Sequence, residues 1–593
     1  MKKLNISFFL PLIVFITAGL SLSSCKDTLD MPIEEAIKYN PKDDLRKEAF
    51  DNAFEVINNI TIDFFDKCNS IAELAKYLDD IKSLKYVEDA YCTNLSLFVK
   101  IKEFSTISFS YFPEEDYTTD DVFKSFTKGI TATRADNNYL LPDFSSAVVI
   151  NQQFRDEKMD KSKSAAIEVN KMLNNIGVKS VINNEPTTEF FRNDLFDYDI
   201  IFLITHGGYD PIEKHHWLVT SEEVAQKDRI LHNPFGLNKS PYESFKDYDI
   251  DEVSFSVQQE KRNGVEVDVC YTKVSEKFIS SSKKRFTNKS IIFNTACQSL
   301  KGGNKESDVD ENLRDFSLAK SFTDKGAGVY YGYDETNNQG QYGGMLFFSK
   351  ITTGISLEKA YLTLPVKILN NVGTKDEDGI TKNFVADLIA YYPKKDAIDE
   401  QSVITIPQLI SMNNNSTNYE INYLIKAKAN YNLYFLYFWD QLSWVLDTPQ
   451  NKDDFQQELI RYGFEISESE DFRDTKKVSS MTIGDENCTL VDSNNYPFSI
   501  LKEAEMKVDL DKYLSYLSDF PIVSFSQNLT DKELKPETYY YYRAYFFDGE
   551  NYYYSRPDWF NTPKIENGNT EDPKDTGDTT NNAQTQNVPG SDL

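Results

Sequence analysis

The middle of the chain alternates between short apolar runs and longer segments with apolar residues at helical spacing. Segments 163–177 and 315–326 carry the helical pattern, and Gly177 stands where a left-handed C-cap residue is expected. Runs typical of β-strands lie at 145–153, 178–183, 198–205, 290–296 and 328–333. An alternating strand–helix series predicts an α/β fold with a mostly parallel sheet and helices on both of its faces.

The run at 198–205 differs from the others because its apolar positions are continuous. This pattern is typical of a central parallel strand that is covered on both faces. Residues 209–288 then interrupt the series. They contain a predicted β-hairpin over 254–271, with Asn263 and Gly264 at its turn.

The flanking regions follow other patterns. Residues 26–140 mix helical and strand-like patterns, which predicts an α+β region; we consider a pro-region cleaved at Arg134 and a simple linker as alternatives for its end. Residues 340–450 are predicted to be mostly helical. We therefore divide the chain into a signal peptide, an α+β region, an α/β domain with a helical extension, a β-sandwich and a disordered tail, at 1–25, 26–140, 141–450, 455–563 and 564–593.

Acidic residues outnumber basic ones by 94 to 64 in the 593-residue chain, so the net charge is −30. This charge repels phosphate backbones, and nucleic-acid binding is not expected. The N-terminus has Lys2 and Lys3, then an apolar run that ends in "LSSC". That ending resembles a bacterial lipobox, which implies a lipidated Cys25 and a protein body anchored at the outer membrane or cell surface. An ordinary cleaved signal peptide is the alternative.

The remaining cysteines and histidines give little support for a disulfide framework or a metal site. The five cysteines after the signal have no CxxC spacing and are odd in number, and the chain has four histidines. We expect no metal and no cofactor. His215 and His216 are assigned to a loop of the interrupting segment, and four cysteines are expected to be structural: Cys68, Cys92, Cys270 and Cys488.

Two apolar strands end in residues that can carry nucleophilic chemistry. The run at 198–205 leads into His206 and Gly207, and the run at 290–296 leads into Cys297. Because sites in open parallel sheets form outside the carboxyl ends of the strands, we expect both side chains at one edge. A thiolate is a strong nucleophile, an imidazole can take its proton, and the Gly207 amide can donate to an oxyanion. The alternatives are a hydrogen-bonded turn histidine and a small buried cysteine.

An apolar strand ending in His-Gly, followed by one ending in Ala-Cys, resembles the signature of the caspase-like cysteine peptidases (clan CD). The stretch 290–299, the glycine-bearing loop after it and the segment 317–335 are most similar to the CHAT branch of this group, which also includes clostripain and the gingipains. The resemblance implies a caspase-like sheet, a catalytic dyad of His206 and Cys297, and an oxyanion donor at Gly207.

The same resemblance bears on specificity. Thr295 stands where some relatives that cleave after basic residues carry an acidic residue, which argues against a preference for Arg or Lys. Asp334, at the end of the next strand, is the candidate for lining the first specificity pocket and restoring that preference. A solvated acidic loop residue is the alternative for Asp334.

The β-rich region at 455–563 resembles a fibronectin type III-like domain of the kind attached to Bacteroidetes surface proteins. Leu534, Pro536, Thr538 and the tyrosine-rich strand that follows carry this likeness, and alternate residues of that strand are expected to face a core. The sequence as a whole therefore predicts an exported, lipid-anchored cysteine endopeptidase acting on a protein or peptide. The alternative is an inactive caspase-like surface protein that binds a protein or glycan partner, with the C-terminal domain offering a partner surface in either case.

Overall fold

The described part of the chain folds into a mixed α/β structure. In this computed structural model the described residues are 41–93, 96–111, 144–224, 248–249, 251–287, 289–300, 315–334, 340–362, 364, 367–375, 381–393, 398, 402–430, 461–491, 522–548 and 552–565. Cys25, Arg134 and the predicted tail beyond 565 lie outside these residues.

The helices and strands of these residues are numbered in chain order. The α-helices α1 to α9 are Pro41–Asp63, Ile71–Leu74, Leu78–Lys82, Asp160–Asn175, Thr188–Arg192, Glu276–Ser281, Ser317–Asp324, Gly340–Ile351 and Leu357–Leu362. The strands β1 to β23 are Val87–Cys92, Ser96–Ile101, Thr106–Tyr111, Ser146–Asn151, Lys179–Asn183, Ile200–Ile204, Gly207–Asp210, His215–Glu223, Val253–Arg262, Val265–Ser275, Ile291–Asn294, Val329–Tyr333, Lys367–Lys375, Thr381–Tyr391, Gln408–Asn414, Asn422–Asn430, Arg461–Ser467, Lys476–Lys477, Cys488–Val491, Ile522–Thr530, Tyr539–Phe547, Tyr552–Tyr554 and Asp558–Asn561.

The first large sheet is the one that the strand–helix series predicts. Its strand order is β13-β14-β12-β11-β6-β4-β5, and the strands from β12 to β5 pair in parallel. Only the two strands at the other end, β14 and β13, pair antiparallel. Strand β6 lies near the centre and is buried at every position, as its continuous apolar run predicts. Gly177 follows α4 with a φ of +88°, which confirms the predicted C-cap conformation.

Both faces of this sheet are covered. Neighbouring residues of a strand point to opposite faces, and the buried strand residues divide accordingly between two hydrophobic clusters. Helices α4 and α8 share a cluster with Val149, Phe202 and Phe293. Helices α5, α6 and α7 share the other cluster with Val148, Ile201 and Ile292. The prediction of helices on both faces is confirmed.

A second large sheet joins two parts of the chain that the sequence keeps apart. Its order is β1-β2-β3-β9-β10-β8-β7, so three strands of the N-terminal region pair with strands of the interrupting segment. The junction is the parallel pairing of β3 with β9, in which Ser108 lies opposite Ser256. Strands β9 and β10 form the predicted hairpin, with φ values of 51° at Asn263 and 75° at Gly264. The described strands of the predicted N-terminal region thus share a sheet with strands of the interrupting segment.

The region after α9 is rich in strands, so the predicted helical extension over 340–450 is wrong beyond Leu362 in the described residues. Strands β13 to β16 occupy much of it. Strands β15 and β16 belong with the C-terminal strands in a sheet of order β15-β16-β20-β19, and a second sheet has the order β18-β17-β21-β22 with β23 beside β21. Strand β16 alternates buried and less buried residues, a period of two that suits a strand and not a helix.

The tyrosine-rich strand β21 confirms the predicted alternation. Tyr540, Tyr542, Ala544 and Phe546 are buried in the cluster that also contains residues of β16 and β20.

No helix among the described residues has the length and apolar character needed to cross a membrane.

Candidate active site

His206 lies where the chain passes from one large sheet into the other. Strand β6 of the central sheet ends at Ile204, and β7, the last strand of the second sheet, begins at Gly207. The carbonyl of His206 accepts from the Val219 amide at 2.9 Å, and the Thr205 hydroxyl donates to the Val219 carbonyl at 2.6 Å. These bonds fix the backbone on both sides of the histidine, so the sheet crossing sets its position.

Cys297 lies three residues beyond the neighbouring strand β11. That strand pairs in parallel with β6, with Asn294 opposite Leu203, and the Thr295 amide continues the ladder by donating to the Leu203 carbonyl at 2.9 Å. His206 follows the end of β6 and Cys297 follows the end of β11, so the parallel pairing of these strands places both predicted residues at the same carboxyl edge of the sheet.

The residues around the two motifs are in direct contact. A Cβ atom added to Gly207 would lie 2.9 Å from the Cβ of Ala296 and 2.6 Å from the carbonyl oxygen of Trp217. No side chain fits there, because one of these neighbours is backbone and the other is the first atom of a short side chain. Gly207 is thus required by the close approach of the Ala-Cys turn to the His-Gly strand, and not by an unusual φ angle.

The N–H of Gly207 points away from β8 and toward the turn that contains Cys297. The Tyr209 amide donates to the side chain of Gln298 at 3.4 Å, which shows that it points toward the turn containing Cys297. Amides two residues apart in a strand point to the same side, so the Gly207 amide has this direction too. This is the orientation that an oxyanion donor next to Cys297 needs.

The imidazole of His206 is 7% exposed and is held by the polar residues of the turn after β4. Its Nδ1 lies 3.3 Å from Nε2 of Gln153, whose Oε1 accepts from the Ser162 hydroxyl at 2.6 Å. The His206 amide donates to the Gln152 side chain at 3.2 Å. Burial lowers the pKa of His206 from its ordinary 6.5 to about 3, so the imidazole is neutral over the physiological range.

This depressed pKa makes stability depend on pH. Between pH 6.5 and 3 the unfolded chain binds a proton at His206 that the folded protein does not, so acidification favours unfolding in this window. Going from pH 6.5 to 4.5 should lower the free energy of unfolding by about 2 kcal/mol through this residue alone. Urea titrations of the parent and of His206→Gln at both pH values measure the difference, since other titrating groups are common to the two proteins. Equal pH dependence in parent and variant would contradict it.

A cleft lies in front of the two motifs. Its floor and walls come from both large sheets, and the described residues that line it are Thr93, Ser96, Phe98, Ser108, Ser110, His206, Gly207, Gly208, Trp217, Val219, Ser256, Gln258, Lys273, Cys297 and Gln298. Cys297 is only partly buried, so it is accessible from this cleft. The structure thus brings His206, Gly207 and Cys297 together, as the sequence predicts.

Other sequence-based assignments need correction. Asp334 is fully buried at the end of β12, so a solvated loop position does not fit it. It is not among the described residues that line the cleft, and its role in a specificity pocket stays a prediction. His215 and His216 are buried residues of β8 and not loop residues, and His216 Nδ1 lies 3.0 Å from the Ser317 hydroxyl. Residue spacing alone did not reveal that this segment returns as a strand beside β7.

The second sheet contributes further residues to the cleft that were not predicted from the sequence, above all Lys273 and Trp217. The sequence signal for Lys273 is weak: it is a charged residue in the largely apolar stretch 269–274 of β10, whose burial only the structure shows. The serines of β2 and β3 give no such signal, because serine is common in both strands and loops.

The other described cysteines do not compete with Cys297. Cys68, Cys270 and Cys488 are buried, and Cys92 is partly buried. Burial raises the pKa of each of these thiols, for Cys92 to about 11 and for Cys488 to about 12. A raised pKa lowers the fraction of reactive thiolate, so these residues suit the structural role assigned to them.

One group of side chains near the cleft has metal-ligand character. Oxygen and nitrogen atoms of Asp210, Glu213 and His215 lie within 4.8 Å of one another. However, the Lys100 ammonium already pairs with Glu213, and the Ser105 hydroxyl donates to the same carboxylate at 2.9 Å. A cation here would have to displace the lysine, so we assign no metal to this group.

No protein-family model matches the chain, and no curated protein is similar enough to match it. The assignment of chemistry to this cleft therefore depends on the residues themselves and on their placement.

Proposed function

We propose that the protein is a cysteine endopeptidase in which Cys297 is the nucleophile and His206 the base. The observation that carries this proposal is the contact between Gly207 and Ala296, because it brings the two motif turns together at an accessible cleft. The parallel sheet with helices on both faces is compatible with a caspase-like domain. The two C-terminal antiparallel sheets are compatible with a fibronectin type III-like sandwich.

The mechanism follows from the positions of these groups. His206 takes the thiol proton as the sulfur of Cys297 attacks the peptide carbonyl carbon, and a C–S bond forms while the carbonyl oxygen becomes an oxyanion. The Gly207 amide donates to that oxyanion. When the C–N bond breaks, the His206 imidazolium gives its proton to the leaving amine, and a thioester remains. Water then loses a proton to His206 and attacks the thioester, which releases the acid and returns the proton to the sulfur.

Gln153 and Ser162 are positioning residues in this scheme. Gln153 holds Nδ1 of His206, so the other ring nitrogen is the one available to exchange protons with Cys297. In the structure the Gln153 Nε2 faces Nδ1 and the Gln153 Oε1 accepts from Ser162, an arrangement that puts the proton of the neutral ring on Nε2. Rotation of the Gln153 amide by 180° would place its oxygen opposite Nδ1, keep the proton on Nδ1 and leave Nε2 as the base.

The second candidate is an inactive caspase-like surface protein that binds a protein or glycan. It is favoured by one observation, the strong burial of His206, since a base with a pKa of about 3 is a weak proton acceptor. In both cases we propose export and anchoring through a lipidated Cys25, which follows from the N-terminal sequence alone.

Labelling with a peptidyl acyloxymethyl ketone separates the two candidates. The enzyme should be alkylated at Cys297 and not at Cys92, which serves as the internal control because it is also partly buried. His206→Gln should slow this labelling by about 10²-fold, as loss of a general base does. Mass spectrometry of tryptic peptides gives the site and the rate. Labelling of both cysteines at similar rates, unaffected by His206→Gln, would favour the inactive scaffold.

A further inference from the structure

A buried lysine lies in the same cleft as the proposed dyad. Lys273 belongs to β10, is 1% exposed and lines the cleft together with His206 and Cys297. Its Nζ lies 4.5 Å from the ring centre of Trp217 and 5.9 Å from that of Phe98. Among the described residues this ammonium has no hydrogen-bond partner. Burying a charged group without a hydrogen-bond partner costs free energy. A ligand that binds in the cleft and accepts a hydrogen bond from the Lys273 ammonium would offset this cost.

Neighbouring acidic groups do not satisfy the lysine. Asp210 and Glu213 are close enough to favour its charged form, while burial lowers its pKa to about 8. The Glu213 carboxylate is bonded to Lys100 and Ser105, and one oxygen of Asp210 accepts from the amides of residues 212 and 213. Neither carboxylate is hydrogen-bonded to Nζ, and neither residue lines the cleft. Lys273 thus remains a cation at neutral pH and faces the cleft without a bonded counter-charge.

The rest of the wall is suited to a small anionic group. The indole Nε1 of Trp217 is also buried without a hydrogen-bond partner among the described residues, so a second donor accompanies the ammonium. Ser96 of β2 and Ser110 of β3 add two hydroxyl groups to the cleft wall, and their oxygens lie 2.7 Å from each other. None of the described residues that line the cleft is an Asp or Glu, so its wall has hydrogen-bond donor groups and no carboxylate among these residues.

We propose that this cleft receives the side chain of an acidic substrate residue, the one whose carbonyl carbon Cys297 attacks. The inference rests on the proposed peptidase function. Cys297, Gly207 and Lys273 line the same cleft, so the side chain of a residue whose carbonyl is held between the Cys297 sulfur and the Gly207 amide would be in the cleft that contains Lys273. Inside, an Asp or Glu carboxylate pairs with Lys273. This is the opposite of the preference for Arg or Lys that a pocket lined by Asp334 would produce.

Hydrolysis of matched peptides tests the preference. Fluorogenic peptides that differ only in Asp, Asn or Lys before the scissile bond should show kcat/KM at least about 100-fold higher for Asp than for Asn or Lys, because a desolvated ion pair is lost with the other two. Lys273→Met should abolish this advantage, so that the ratio of kcat/KM for the Asp peptide to that for the Asn peptide falls to about one. Lys277→Met, the same substitution at an exposed lysine of α6, should preserve the Asp preference. An unchanged Asp preference in Lys273→Met would overturn the inference.

A binding experiment makes the result independent of catalysis. In the Cys297→Ala protein, calorimetry with acetyl-Ala-Ala-Asp-amide and with its Asn counterpart should show binding of the Asp peptide at least about tenfold tighter. The double variant Cys297→Ala/Lys273→Met should lose this difference; Lys273→Gln replaces it if the Met variant does not fold. If the Asp peptide binds in this way but the parent hydrolyses nothing, the acidic subsite stands and the peptidase function fails. If both peptides bind equally, Lys273 is a structural cation over Trp217.

Discussion

Cys297→Ala should reduce kcat for peptide hydrolysis by at least about 10³-fold, because no acyl-enzyme can form without the thiol. The partly buried position of Cys297 means that removing its sulfur should change the free energy of unfolding by less than about 1 kcal/mol. Activity and stability should therefore separate in this variant. Steady-state hydrolysis of the best peptide, together with a urea titration, measures both quantities.

Cys92→Ala is the matched control for this experiment. Cys92 is also partly buried, but it lies at the end of β1 and is not among the described residues that line the cleft. We expect it to retain parental kcat and KM. If Cys297→Ala hydrolyses peptides as fast as Cys92→Ala, the nucleophile assignment is wrong, and the inactive scaffold becomes the better description.

Gly207→Ala should damage both stability and activity, whereas Gly208→Ala should be tolerated. The new Cβ at Gly207 meets the Trp217 carbonyl and the Ala296 Cβ below 3.0 Å, so β8 or the Cys297 turn has to move. Overpacking of this kind costs roughly 1–3 kcal/mol of unfolding free energy. Displacement of the Gly207 amide or of Cys297 by about 1 Å should also lower kcat about 10²-fold.

Gly208→Ala is the matched control for Gly207→Ala, because it makes the same substitution at the adjacent residue. The nearest atom to a Cβ at Gly208 is the Gln298 Oε1, 4.0 Å away at the end of a flexible side chain. Gly208→Ala should therefore keep the unfolding free energy within about 0.5 kcal/mol of the parent. Thermal unfolding and kcat of the two variants can be measured side by side. Equal destabilisation by both substitutions would mean that the two motif turns are not packed as described.

The sequence predicted the parallel strands of the central sheet correctly, because the apolar pattern of each strand there reflects its own burial. The continuous apolar run of β6 predicted its central place, and the strand ends predicted that His206 and Cys297 would lie at one edge of the sheet, where both line the cleft. The second large sheet was not predictable in this way. Its decisive contact pairs Ser108 with Ser256, far apart in the chain, and neither residue type carries a register signal.

The candidate site, like the fold, was predictable only where its residues belong to a local sequence pattern. His206 and Cys297, the residues proposed to perform chemistry, were singled out because the two residue types follow two apolar strands of the same predicted sheet. Lys273 and Trp217 were missed because their meaning depends on the sheet that turns them toward the cleft. The full burial of Asp334 was not predictable either, because its position at a strand end is equally compatible with an exposed loop residue.

The parallel pairing of β3 with β9 changes what a cut in the linker after the N-terminal region could accomplish. Cleavage at Arg134 would break the covalent connection but not the ladder between these strands, nor the burial of Phe109 in the shared cluster. The N-terminal piece also supplies the hydroxyls of Ser96 and Ser110 to the cleft wall. A protein cut there would be a non-covalent two-chain assembly, and the shorter chain would be an integral subunit instead of a discarded inhibitor.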